Sequence, residues 1–181
     1  EGSVMDSSLV NGLMLLKSRV DATSPANSEG GVVAIIDGGL EQPKLEANAS
    51  IEVSSLGVLQ EFHERSRKNM QEQVEHMASL GIDLLIVRDG VSEEAITQLT
   101  GAGIVTYRRL ERSDMDLLSR ISGAKPVRNA SALGMEDLGA YSKRIEERIA
   151  DVKHTTIEGD GGGKTLVVRG SSPVAREEAI R

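Results

Sequence analysis

"IDLLIVRDGVSEEAITQLTGAGIVTYRRLERSDMDLLSRISGAKPVRN", residues 82–129, sets the fold class. "IDLLIV" (82–87) is an apolar run of buried-strand length. "SEEAITQLTGAG" (92–103) has helical spacing, with Ser92 as N-cap and early acids that suit the helix dipole. "IVTYR" (104–108) reads as a strand. "SDMDLLSRISGA" (113–124) reads as a helix capped by Ser113 and closed by Gly123. "KPVRN" (125–129) is a short strand that Pro126 assigns to an edge. A β-α-β-α-β order predicts neighbouring parallel strands joined by right-handed crossovers, hence an α/β fold.

Upstream, 9–20 reads as one strand, and 21–31, rich in Pro, Gly, Ser and Asn, as a loop. "VVAIID" (32–37) is another buried strand, 38–47 is irregular, and 50–53 alternates as a short strand would. The longest element runs from about Ser55 to Leu80, where Leu59, Phe62, Ser66, Met70, Val74, Met77 and Leu80 trace one helix face. Downstream, 135–149 is polar and less regular, 151–170 reads as two strands around a Gly-rich turn, and 171–181 begins a helix.

The 181 residues suit one domain, or two small ones. Phe62, Tyr107 and Tyr141 are the whole aromatic set, so the core is aliphatic and there is no ring platform for single-stranded nucleic acid. A net charge of −7 opposes binding to nucleic acid or an anionic membrane. No apolar run reaches the roughly 18 residues that cross a bilayer. The absence of cysteine excludes disulfides and thiolate metal sites. A chain starting Glu-Gly-Ser reads as part of something longer.

"IEGDGGGKT" (157–165) has the look of a phosphate-binding loop. The spacing fails, because the first glycine belongs at 158, which is Glu158. The strand-like "KTLVV" that follows also fails, since phosphate cradling needs a helix N-terminus there. Asp160-Gly161 instead favours a hairpin turn. His63 and His76 stand thirteen positions apart and His154 has no companion, so all three read as solvated surface. Glu93-Glu94 and Asp114 with Asp116 read as helix-start acids. "YRRLER" (107–112) reads as a solvated face.

Several stretches together resemble the apical domain of group II chaperonins, the archaeal thermosome and eukaryotic cytosolic TCP-1 ring family. They are "GSVMDSSLVNGLML" (2–15), "VVAIIDGGLE" (32–41), "GIVTYRRLERSDMDLLSRISGAKPV" (103–127), "EDLGAYSKRIEERI" (136–149) and the "IEG" and "LVVRGSS" of the closing segment. The resemblance spans the chain in order. It implies a β/α sandwich of apical-domain type over 1–170, with a helical protrusion at about 50–70, and 171–181 starting the return to an intermediate domain.

It further implies an ATP-driven folding machine in the cytoplasm, with non-native polypeptides as clients and neighbouring subunits in a double ring. ATP and magnesium would bind an equatorial domain outside this chain, which is itself no enzyme. The family's Gly-Asp-Gly-Thr metal motif is absent, and Gly163 is followed by Lys164-Thr165 in place of the nucleotide element. Client contacts are implied for Leu56, Val58, Leu59 and Phe62 on the protrusion, for Leu40 and Leu45 in the loop after the second strand, and for Ile96 and Leu99. For Ile96 and Leu99, a core role stands equally open, since helices bury one face. Two alternatives remain: an α/β small-molecule or nucleotide-binding enzyme domain, and an apical-like domain in a non-chaperonin host such as some lipid kinases.

Overall fold

A computed structural model describes residues 7–41, 56–149, 152–170 and 172–180. Its centre is a four-stranded sheet of β3 (Gly31–Ile36), β4 (Leu84–Val87), β5 (Val105–Tyr107) and β6 (Gly139–Tyr141), in the order β5-β4-β3-β6. The first three strands are parallel and β6 is antiparallel. Because side chains alternate across a strand, β3 and β4 feed two cores. Ala34, Ile36, Leu85 and Val87 join Met70, Val74 and Met77 of α1 (Leu56–Ser79) and Ala95, Ile96 and Leu99 of α2 (Glu93–Gly101). Val33, Ile35, Leu84 and Ile86 meet Met115, Leu118 and Ile121 of α3 (Arg112–Ser122) on the opposite face. Full burial of each such Val, Leu, Ile or Met side chain stabilises the fold by roughly 1.5–3 kcal/mol.

The second face is completed by a three-stranded sheet, β2 (Leu13–Leu15), β8 (Val152–Glu158) and β7 (Lys143–Ile149), in the order β2-β8-β7. Beyond it, β1 (Ser8–Asn11) pairs with β9 (Lys164–Val167) as an antiparallel ribbon. The last element is α4 (Pro173–Ile180).

The expected α/β sandwich is present, with local departures. The single strand expected at 9–20 is two, broken at Gly12 (φ +107°), where a β-carbon would collide with the carbonyl of Ile157. The strand expected at 125–129 shrinks to one parallel bridge, Val127 to Ile36. Pro126 has no N–H to donate, so Val127 alone bonds to β3, through Ile35 O (3.0 Å) and Asp37 N (2.7 Å). The N-cap of α3 is Glu111, not Ser113, which lies inside the first turn. The closing Gly123 sits at φ +80° as its left-handed role requires.

The expected hairpin is absent, since β8 pairs with β2 and β7 whereas β9 pairs with β1. The glycine run is a crossing between sheets, pressed on the end of α3. Gly161 N–H donates to Ile121 O (2.9 Å), and a β-carbon at Gly161 would overlap Arg120 O. Segment 135–149, whose polar and less regular pattern assigned it no element, holds β6 and β7.

The inward position on β7 is Arg144, only 1% exposed. Its guanidinium donates to Pro25 O (2.9 Å), Ala26 O (3.0 Å) and Tyr107 Oη (3.2 Å). Thr155 Oγ1 donates to Lys17 O (2.8 Å) and lies 3.3 Å from Tyr107 Oη. Backbone bonds between Ser28 and Arg144 (both 2.9 Å) complete a clamp that ties the 17–28 loop to the sheet.

Candidate functional site

Helix α1 has 24 residues, about 36 Å at 1.5 Å per residue. It packs on α2 and on the 3₁₀ turn 130–132. Met70, Val74 and Met77 anchor its second half, while none of the described side chains from Gln60 to Asn69 is buried. The outward face is laced with Glu61–Arg65 (3.8 Å) and Lys68–Glu72 (4.0 Å) pairs and a Gln71–Glu75 bond (2.8 Å). Such exposed pairs contribute only about 0.3–0.5 kcal/mol each, and they keep that face wet. Among the described side chains, the helix is anchored at its second half.

Phe62 sits on that first half, half-buried, with its ring edge-on to His63 at 6.3 Å. Leu56, Val58 and Leu59 fall within α1, but their side chains lie outside the described residues, as does Leu45 altogether. Leu40, Ile96 and Leu99 are core side chains, at 2%, 9% and 0% exposure. Burial therefore favours the core role for the α2 pair, and Leu40 joins them. Leu40 is also stitched to the entry of α2: Leu40 N–H donates to Gly90 O and Ser92 N–H donates to Leu40 O, both at 2.9 Å. Ser92 then caps α2 by accepting from Ala95 N (3.2 Å). The loop after β3 and the start of α2 thus form one backbone-bonded unit.

Sequence reasoning missed several exposed apolar side chains. Leu9 and Leu166 face each other across the β1–β9 ribbon at 59% and 63% exposure, and Leu16 and Met135 are each 70% exposed. Single apolar residues in short strands, turns and loops carry no signal that separates an outward from an inward position.

The described residues hold no group of three metal-ligating side chains. Nor do they include a helix long and apolar enough to cross a membrane. His76 is not solvated surface as expected: it is half-buried, and its Nε2 lies 2.9 Å from Leu133 O. His154 is half-buried too, with an unpartnered Nδ1. Partial burial, and then the charge of Glu111, hold the Asp114 carboxyl above its ordinary range. Asp116 is exposed, so the two do not form a shared-proton dyad. Beyond β3 and β4, Arg88 joins Asp37 and Asp89, and its hydrogen bond holds the Asp89 carboxyl below its ordinary range. The glycine run precedes strand β9 rather than a helix, so it has no phosphate-cradling N-terminus.

The model of the TCP-1/cpn60 chaperonin family matches residues 1–181. The chain is 34% identical over 183 aligned residues to thermosome subunit alpha of Sulfolobus acidocaldarius, covering 99% of this chain and 33% of that protein. It is 32% identical over 182 to thermosome subunit beta of Thermococcus kodakarensis, with the same coverage. The chain therefore spans about a third of the length of these relatives. Among solved structures, an open-state monomer of a group II chaperonin from Methanococcoides burtonii superposes with a TM-score of 0.77 at 20% identity, covering 99% of this chain and 39% of that one.

Proposed function

The chain belongs to the TCP-1/cpn60 chaperonin family, in its group II branch, and from that premise we propose that it is the polypeptide-binding apical domain of a larger subunit. The observation that carries this reading is α1, a 24-residue helix anchored through Met70, Val74 and Met77, with no buried described side chain nearer its start. Such a helix suits a protrusion that closes over a chamber. Residues 1–170 form the apical domain in this reading, with the protrusion at about 50–70, and 171–181 begin the return to an intermediate domain. Leu56, Val58, Leu59 and Phe62, with Leu45, are the client contacts in this reading, while Leu40, Ile96 and Leu99 belong to the core beside Met70, Val74 and Met77. Aliphatic surfaces of this kind repack around many partners, which suits weak, permissive binding of unfolded chains. ATP and magnesium act elsewhere in the subunit. The subunits work in a cytoplasmic double ring, and this chain catalyses nothing itself.

The test is suppression of aggregation of a chemically denatured protein by the 181-residue chain. Wild type lowers light scattering, and Phe62→Glu loses much of that effect without a change in melting temperature. Equal suppression by Phe62→Glu would remove the protrusion from client binding, and no suppression by wild type would count against the polypeptide-binding reading.

A further inference from the structure

The parallel strands reverse order at β3. From it the chain proceeds outward through β4 and β5, then returns to the other side of β3 at Val127. Open α/β sheets bind small ligands at the carboxyl ends of strands at such a reversal. A cleft of about 270 Å³ lies there, between the turn after β3, the segment after Val127 and the middle of α1. That volume suits a ligand of a few non-hydrogen atoms. Its floor includes Met70 and Leu40, both nearly fully buried.

The charge of the lining has one sign. Glu41 is its one charged residue, and no ion pair among the described residues engages that carboxylate. Gly90 makes room for it, since a β-carbon there would overlap the Glu41 carboxylate. The other polar groups are neutral: the amides of Asn69, Gln73 and Asn129 and the hydroxyls of two serines. Gln73 Nε2 donates to Asn69 Oδ1 (2.9 Å), which leaves Gln73 Oε1 as an acceptor without a partner among the described residues. An anion would meet a repelling carboxylate and no cation. The lining holds no aromatic ring on which a sugar or base could stack. An ammonium group offers three donors and no acceptor, which matches one carboxylate surrounded by neutral oxygens.

We infer that this cleft binds a small primary alkylamine in its ammonium form. The head pairs with Glu41 and the neutral oxygens of Gln73 and Asn129, and the short alkyl tail rests on Met70 and Leu40. Such a ligand touches the loop after β3, helix α1 and the segment after Val127 together. It therefore ties α1 to the sheet edge, and a ligand that binds only the folded chain raises its stability. The site is one for a small molecule and does not depend on the client contacts proposed above.

The experiment titrates the 181-residue chain with butylammonium chloride and follows its side-chain amides by nuclear magnetic resonance. The Asn69, Gln73 and Asn129 signals shift, whereas butanol and sodium butyrate leave them in place. Glu41→Gln, at an exposed position, weakens binding about tenfold, the loss expected for one charge-assisted hydrogen bond. Asn69→Asp keeps the acceptor for Gln73, adds a second carboxylate and tightens binding severalfold. At about ten times Kd, butylammonium raises the wild-type melting temperature by about 3–6 °C and leaves that of Glu41→Gln unchanged. Unmoved amide signals, equal shifts with butanol, or wild-type affinity in folded Glu41→Gln would overturn the assignment. Equal shifts with magnesium chloride would overturn it too, by showing a site for cations in general. None of these results bears on Phe62 or on the apical reading.

Discussion

Replacing Arg144 tests the clamp that fixes the 17–28 loop. The guanidinium is 1% exposed and donates to three neutral oxygens, with no carboxylate partner among its bonds. Bonds from a charged donor contribute roughly 1.5–3 kcal/mol each, but removing the charge also removes the cost of having buried it. The carbonyls of Pro25 and Ala26 can turn to water from their surface loop, and Tyr107 keeps its contact with Thr155. The net loss for Arg144→Ala, cavity included, is about 3–5 kcal/mol, in the range for truncating a large buried side chain. At roughly 2–4 °C per kcal/mol for a chain of this size, the melting temperature falls by about 6–20 °C. Arg144→Met, which refills the volume, loses about half as much. Far-ultraviolet circular dichroism in thermal and urea melts reads the difference. Hydrogen exchange at residues 17–28 rises in both variants, because the loop loses its anchor. A melting temperature within about 2 °C of wild type for Arg144→Ala would show that the clamp does not stabilise the fold.

Three further outcomes follow from particular contacts. Gly161→Ala pushes a methyl group into Arg120 O and costs about 1–3 kcal/mol in urea melts, whereas a free hairpin turn would tolerate it. Ser92→Ala removes the α2 cap and costs about 1 kcal/mol, read the same way. Asp89 has a depressed pKa in the folded chain, so its link to Arg88 stabilises above the ordinary carboxylate pKa, near 3.9, and fades as pH falls through the folded value. The melting difference between wild type and Arg88→Met is therefore full at pH 7 and collapses in acid below pH 4, and a difference that persists at pH 2 would contradict that assignment.

The sheet strands buried on both faces were legible because β3 and β4 are unbroken apolar runs, which survive without any alternation. The cap at Ser92 and the stop at Gly123 were legible because each is local chemistry. Strand β7 was not, because its inward position holds Arg144, and an arginine reads as solvent-facing until its carbonyl partners, more than a hundred residues away, are known. The turn after Glu158 looked like a hairpin because Asp-Gly favours one. Whether the flanking strands pair is settled by β1 and β2, which the local sequence cannot see. The same limit applied to the candidate contacts. Helical spacing identified α1 but not which half is anchored, and it could not separate Ile96 and Leu99 as core from Ile96 and Leu99 as surface.

The tyrosine pair has an optical consequence. The chain has no tryptophan and two tyrosines. Tyr107 Oη contacts Arg144, and Tyr141 Oη lies 2.9 Å from Ser28 Oγ, so both phenols are tied to the same clamped loop. Intrinsic tyrosine emission and near-ultraviolet dichroism therefore report almost entirely on that corner of the molecule. Events on α1, where Phe62 is the only ring besides the histidines, pass without an intrinsic tyrosine signal. A probe introduced on α1 and the native phenols would thus give two separable channels in one sample, one for α1 and one for the clamp.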